Sequence, residues 1–357
     1  MRRAKGLRKM DRIKHIAPTD KEAGKRAALK WNSIAKPLHS LGMLEDDIIK
    51  LAEIFGSENF SLDRRCAVVM CADNGVVCEG VTQTDSSVTA IVAKAMAEGT
   101  SNINLMARSC GAEVFPVDIG IKGRICADGV ICRKIAYGTE NIAEGPAMSR
   151  SQAERALQVG MDIAGELKQK GYKLIVTGEM GIGNTTTSSA AASVILRLSP
   201  EEVTGRGAGL DDAGLLRKIN AIKKSIEINK PDPCDAADII SKVGGYDIGG
   251  MAGLFLGGAV YHIPIVIDGF ISAVSAALAA MICPLAKEYM LCSHVSKEPA
   301  GKKMLGFLGF EPPINGGLCL GEGTGGVLLL PMLDAAMAVY DSSHSFENLS
   351  IEKYKEL

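Results

Sequence analysis

From about Asp46 onward, short runs of valine, isoleucine and alanine alternate with longer segments whose apolar positions recur every three or four residues. Four of the short runs read as buried strands: 66–71 (CAVVMC), 113–117 (EVFPV), 173–177 (KLIVT) and 264–267 (PIVI). Each is soon followed by Asp, Gly or another small polar residue, as where a parallel strand emerges at the carboxyl edge of its sheet. The helical periodicity covers 89–110, 151–169, 185–198, 212–227, 248–261 and 271–283, the last three ending near Pro231, Pro264 and Pro284, where proline stops propagation. Strands alternating with helices predict an α/β fold with a mostly parallel sheet and crossover helices. The stretch 20–54 reads as two helices around Lys36-Pro37, and the chain from Leu329 as a helix plus tail. The expected organisation is a basic extension (1–19), a small helical domain drawn from both ends (20–60 with 329–357) and a large α/β domain (61–328).

Composition narrows the function. The 357 residues carry a formal net charge of -1, so no global field favours nucleic acid or an anionic membrane. The basic start, with Arg2, Arg3, Lys5, Arg8, Lys9, Arg12 and Lys14, lacks the apolar core of a signal peptide and is expected to be solvated. The Ala-rich stretch 273–283 is too short for a membrane span. Ten cysteines without a CxxC pair are expected to be mostly reduced core thiols, which points to a cytoplasmic protein without a structural zinc. Forty glycines against 4% aromatic residues fit a fold of tight turns and close backbone approaches.

Four glycine-bearing clusters can carry chemistry. Gly178-Glu179-Met180-Gly181-Ile182-Gly183-Asn184-Thr185 leaves a strand and starts a helix, a geometry that offers backbone N–H groups and the positive helix end to a phosphate. Read alone it is equally a plain βα turn capped by Asn184 or Thr185. It is neither a Walker loop nor GxGxxG. Gly205-Arg206-Gly207-Ala208-Gly209 again precedes a helix, and two such turns in one domain favour a nucleotide ligand. Leu320-Gly321-Glu322-Gly323-Thr324-Gly325 sets a carboxylate between glycines, where a ligand can approach and where a partly dry pocket raises the pKa toward that of a general base. The alternative is an acid that merely answers a helix dipole. The fourth cluster, Asp73-Asn74-Gly75 through Glu79-Gly80-Val81, also reads as an ordinary Asn-Gly turn.

Taken in order, these clusters resemble the nicotinate-nucleotide:dimethylbenzimidazole phosphoribosyltransferase family, which makes the lower-ligand nucleotide of cobamides. The resemblance spans roughly residues 30 to 340. It also takes in Lys36-Pro37, Val117-Asp118, Gly145-Pro146-Ala147-Met148, Ile267-Asp268-Gly269-Phe270 and Ser293-His294 with Ser296, Glu298 and Pro299.

What the resemblance implies is a doubly wound sheet carrying the active site, a small helical domain from both chain ends and a two-fold dimer. It also implies transfer of the phosphoribosyl group of nicotinate mononucleotide to an aromatic base, with no cofactor or metal. Glu322 is the implied base. Gly181, Ile182, Gly183, Asn184, Thr185, Gly205, Arg206 and Gly207 are the implied phosphate turns. Glu179 and Lys218 are expected near the ribose phosphate, and Ser296 near the nicotinate carboxylate. Cys78, Gly80, Ser86, Asp268 and Leu320, with Gly321 and Gly323 beside the base, are expected around the aromatic acceptor.

Three positions depart from the family pattern. Asn74 stands where His is usual, Asp85-Ser86-Ser87 where Pro-Gln-Glu is common, and His39 in place of a glycine. They leave benzimidazoles, purines and phenols open as acceptors. The rival readings are a phenol-using O-phosphoribosyltransferase subunit and a weakly active partner in a heterodimer with a paralogue.

Overall fold

The computed structural model describes residues 11–125, 127–342 and 344–354. Its main sheet contains β1 (Arg65–Ala72), β2 (Ala112–Gly120), β3 (Ile131–Cys132), β4 (Leu174–Met180), β5 (Ile265–Ile267) and β6 (Met290–Cys292). The six strands lie in the order β3-β2-β1-β4-β5-β6, and every pair is parallel. The chain starts in the middle, runs out to one edge, and returns to the other side of β1. That reversal opens a crevice beyond the carboxyl ends of β1 and β4, the place where ligands bind in sheets of this kind. A second, two-stranded parallel sheet, β7 (His294–Ser296) with β8 (Ile314–Leu318), stands near that edge.

The apolar runs are continuous because both faces are covered. In β1, Cys66, Val68, Met70 and Ala72 face one apolar cluster, while Ala67, Val69 and Cys71 face the other. The first cluster holds the helices Arg150–Gln169, Tyr246–Tyr261 and Phe270–Ile282. The second holds the helices of both chain ends, Lys21–Ser33, Met43–Phe55 and Leu329–Tyr340, together with Ser87–Ala97 and Asn102–Ser109. The two ends meet directly. Trp31 and Tyr340 lie with ring centroids 5.0 Å apart, and Ala35 N–H donates to the His344 carbonyl at 2.8 Å.

On the first face two helices touch backbone to backbone. A Cβ on Gly160 would lie 2.0 Å from the Gly250 carbonyl oxygen, and one on Gly253 would lie 2.1 Å from that of Leu157. Glycine costs helix stability in isolation, and here it permits the contact. Gly160→Ala is therefore expected to lower stability by about 1–3 kcal/mol with kcat unchanged, read by denaturant unfolding and steady-state assay.

Several expectations need correcting. The single helix expected over 89–110 is two, Ser87–Ala97 and Asn102–Ser109, broken at Gly99-Thr100, where Gly99 takes a left-handed φ of 76°. Strands β3, β6 and β7, of two or three residues, are too short to show a period, and the pattern of β8 is interrupted by Gly316 and Gly317. The cysteines are not mostly core thiols. Cys66, Cys71, Cys110 and Cys292 are buried, but Cys78, Cys132, Cys234 and Cys319 are exposed because their apolar-looking segments end in turns and edges; Cys126 lies outside the described residues. Of the basic extension, residues 1–10 lie outside the described residues. Residues beyond them are not simply solvated: Ile13 and Ile16 pack on the first core cluster, and the Tyr289 hydroxyl donates to the Ala17 carbonyl at 2.9 Å. Among the described residues no helix is long and apolar enough to cross a membrane.

Candidate active site

A cavity of about 260 Å³ opens at the predicted crevice. The end of β4 and the turn after it, Glu179 to Thr185, form one side. The 206–210 loop, the end of β5 at Asp268, His294 and Ser296 of β7, and the 319–322 turn form the rest, with Val81 to Thr84 across the mouth.

The turn after β4 is pressed against β1. A Cβ at Gly181 would sit 2.2 Å from the Ala72 carbonyl oxygen, and Gly183 adopts a φ of 92° open to few residues but glycine. The helix Asn184–Leu196 then begins with its amino end at the cavity, where its first N–H groups lack intrahelical acceptors. Lys218 is wholly buried behind this turn. Its Nζ donates to Thr185 Oγ1 at 2.9 Å and to the Gly205 carbonyl at 3.1 Å, so it ties the two glycine turns together. Burial lowers its pKa to about 8. Arg206 donates to the Leu210 carbonyl at 2.9 Å and pairs with Asp212, which shapes the second turn.

Glu322 occupies a left-handed conformation, φ 62°, between Gly321 at 83° and Gly323 at 90°. A glutamate in that region is strained by about 1 kcal/mol or more, and the surrounding contacts hold it there. The turn lies directly on β4: a Cβ on Gly178 would come within 2.4 Å of the Glu322 carbonyl oxygen. Glu322 Oε2 accepts a 3.4 Å bond from Ile103 N–H at the start of the helix Asn102–Ser109. Burial pushes the carboxyl pKa up and nearby Asp268 adds to the rise, while the Ile103 N–H opposes both. Glu179 is pushed well above the usual carboxylate range by burial and then by Asp247, although the Asn184 amide donates to it. Asp268, raised mainly by burial, accepts from Gly326 N–H at 2.7 Å and has His294 Nδ1 at 4.0 Å.

A family model described as "Phosphoribosyltransferase" matches residues 16–351. The chain belongs to this family. It is 46% identical to a nicotinate-nucleotide--dimethylbenzimidazole phosphoribosyltransferase of Acetivibrio thermocellus, over 96% of this chain and 98% of that protein. A protein of the same name from Clostridium acetobutylicum is 45% identical over 97% and 98%. The crystal structure of a phosphoribosyltransferase of that type from Thermus thermophilus superposes with a TM-score of 0.87 at 34% identity, covering 94% of this chain and all of that one.

As a phosphoribosyltransferase the chain is a transferase, and its fold gathers most of the residues singled out from sequence. Glu179, Gly181, Ile182, Gly183, Asn184, Thr185, Arg206, Gly207, Asp268, Ser296, Leu320, Gly321 and Glu322 all line the cavity. Gly205 and Gly323 are not on its wall; a Cβ on Gly323 would lie 3.1 Å from the Thr177 carbonyl oxygen. Lys218 reaches the two glycine turns from inside the protein instead of from the cavity. Cys78, Gly80 and Ser86 do not line it. Cys78 is exposed on the 3-10 turn Gly75–Glu79, the Gly80 carbonyl accepts from Arg217 Nε at 3.1 Å, and Ser86 precedes the helix Ser87–Ala97. Val81, Thr82, Gln83 and Thr84 line it instead, which the path of the loop decides.

The departures from the family pattern also fall outside the wall. Asn74 is buried and accepts from Thr187 Oγ1 at 3.3 Å, and Asp85 accepts from Ser87 N–H at 2.8 Å. Two residues given no role from sequence lie at or behind the wall: His294, which lines the cavity and whose ring fills the space that a Cβ at Gly325 would need, and Asp247, buried beneath Gly181. Nothing in the local sequence around Asp247 marks it, because its neighbours come from β1 and β4.

Proposed function

We propose that the chain transfers the phosphoribosyl group of nicotinate mononucleotide to dimethylbenzimidazole or a closely related base, releasing nicotinate and an α-ribazole phosphate. The observation that carries this reading is the buried, pKa-raised Glu322 carboxyl, held in a strained turn at one side of a cavity whose other side is a helix amino end and two glycine turns.

One azole nitrogen attacks ribose C1′ as Glu322 takes the proton from the other. The bond from C1′ to the pyridinium nitrogen breaks with its electron pair going to the ring, which leaves neutral and needs no acid. Attack from the opposite face inverts the β-nucleotide to the α-product. The turns at 181–185 and 205–207 hold the phosphate, with Lys218 fixing one against the other, and Glu179 lies beside the ribose. Ser296 meets the nicotinate carboxylate. Asp268 and Leu320 face the acceptor together with the 81–84 segment.

The same reading covers the remaining organisation. The helices of residues 20–60 and 329–357 form a small domain beside the 61–328 body; the Trp31–Tyr340 contact supports this, and their shared core with the sheet keeps the two close. The enzyme works in the cytoplasm as a homodimer, the alternative being a heterodimer with a paralogue.

The test is incubation of the purified chain with nicotinate mononucleotide and separate pools of benzimidazoles, purines and phenols, following nicotinate release and product mass. An N-linked benzimidazole product is expected. An O-linked product reassigns the acceptor to a phenol, and no product from any pool overturns the reading in favour of a subunit that needs a partner.

A further inference from the structure

Four carboxyl groups converge under and around the cavity with no lysine or arginine paired to them and one histidine, His294, beside Asp268. Glu179, Asp247, Asp268 and Glu322 are each less than a tenth exposed. Glu179 lies against the turn that carries Glu322, since a Cβ at Gly321 would lie 2.6 Å from Glu179 Oε1. Asp247 is wholly buried; Ile248 N–H donates to its Oδ1 at 3.0 Å and the neutral amides of Asn74 and Asn184 lie beside the carboxyl, while no cation reaches its Oδ2. That oxygen points toward the cavity floor, 2.8 Å from the Cβ position of Gly181.

The groups facing this cluster from neighbouring elements do not neutralise it. From β7, His294 approaches only Asp268, at 4.0 Å. Lys218, from the helix Asp212–Asn229, is turned to Thr185 and Gly205, and Arg206 is occupied by Asp212 and the Leu210 carbonyl. From the end of β1, Asp73 adds another acid, engaged by Thr89 Oγ1 at 2.6 Å and Lys122 N–H at 2.7 Å. Among the described residues no lysine or arginine forms an ion pair with any of the four.

Buried like charges this close cannot all ionise without a compensating cation. We propose that the cluster is a cation-sensing box: it keeps a proton while the cavity is empty and expels that proton to solvent when the cationic pyridinium ring of the nucleotide binds. The inference rests on the substrate reading above. It gives the substrate itself the task of ionising the base. The arriving positive charge favours the carboxylate form of the cluster, Glu322 included, before the acceptor is attacked.

The proton balance then closes within one turnover. Binding of the pyridinium nucleotide releases one proton to solvent. Attack moves the azole proton to Glu322 and converts the pyridinium to a neutral ring, so the cluster is again protonated and uncompensated when the products leave. The proton produced by the overall reaction therefore departs at nucleotide binding, not at product release. Burial raises all four carboxyl groups and carries Glu179 well above the usual carboxylate range, which supports the protonated resting state.

The experiment is calorimetric titration of the full chain, without acceptor, in buffers of different ionisation enthalpy. The probes are nicotinate mononucleotide and its dihydropyridine form, which has the same phosphate, ribose and carboxylate on a neutral ring. The pyridinium nucleotide is expected to release about one proton more than the reduced one near neutral pH. Its affinity should also tighten by up to about tenfold per pH unit beyond that of the reduced form. Binding of both with equal proton counts, or greater release by the reduced form, overturns the box while leaving the substrate reading standing. Binding of neither overturns the substrate reading and the box with it.

Discussion

Glu322→Gln is expected to bind nicotinate mononucleotide and to lose turnover by about 100- to 10,000-fold, the usual contribution of a positioned general base. The substitution keeps the shape of the side chain and the acceptor for Ile103 N–H, so the turn from 321 to 323 retains its anchor. What it removes is the ability to take up a proton. In the parent chain that group works only when ionised, and burial with Asp268 beside it lifts its pKa above the ordinary glutamate value. The parent kcat/KM, which reports the free enzyme, should thus rise with pH through an acidic limb placed above the usual carboxylate range, the limb of kcat should lie lower because the bound pyridinium favours the carboxylate, and the residual rate of the variant should lack both. A pH profile of kcat and kcat/KM for both proteins, with nucleotide affinity measured separately, checks each part. Unchanged turnover would remove Glu322 from the mechanism.

The second large effect is expected from Gly178→Ala, although Gly178 carries no chemistry. An added Cβ would stand 2.4 Å from the Glu322 carbonyl oxygen and 3.0 Å from Gly323 N, both backbone atoms that cannot rotate aside. The turn would have to retreat by about 1 Å to reach an ordinary contact, and a misplacement of that size costs about 100-fold in rate. Stability should fall too, by about 1–3 kcal/mol. Comparison with Gly160→Ala separates the two consequences. Both glycines permit a close backbone approach, but only Gly178 supports the turn that carries the base, so kcat should fall in one variant and hold in the other.

Much of the fold was legible because a parallel sheet covered on both faces leaves an unmistakable trace. The runs 66–71 and 174–176 are continuously apolar since their alternate residues enter two different cores. The strands β3, β6 and β7 left no such trace; two or three residues carry no period, and only pairing defines them. The break at Gly99-Thr100 was hidden for a related reason, since the apolar spacing continues across it.

For the site, the order of motifs along the chain determined the family, the glycine turns and the candidate base. These are local properties: a glycine pair sets a turn, and a carboxylate between glycines is available to a ligand wherever the turn ends up. Tertiary structure alone decided which of those residues share a cavity. It set the 81–84 segment on the cavity wall and Cys78, Gly80 and Ser86 off it, placed Lys218 behind the two glycine turns, and brought Asp247 under Gly181. Chain pattern can say that a carboxylate exists, but its ionisation depends on burial and on the charges around it, and those neighbours come from strands and loops more than a hundred residues apart in places, such as Glu322 and Glu179.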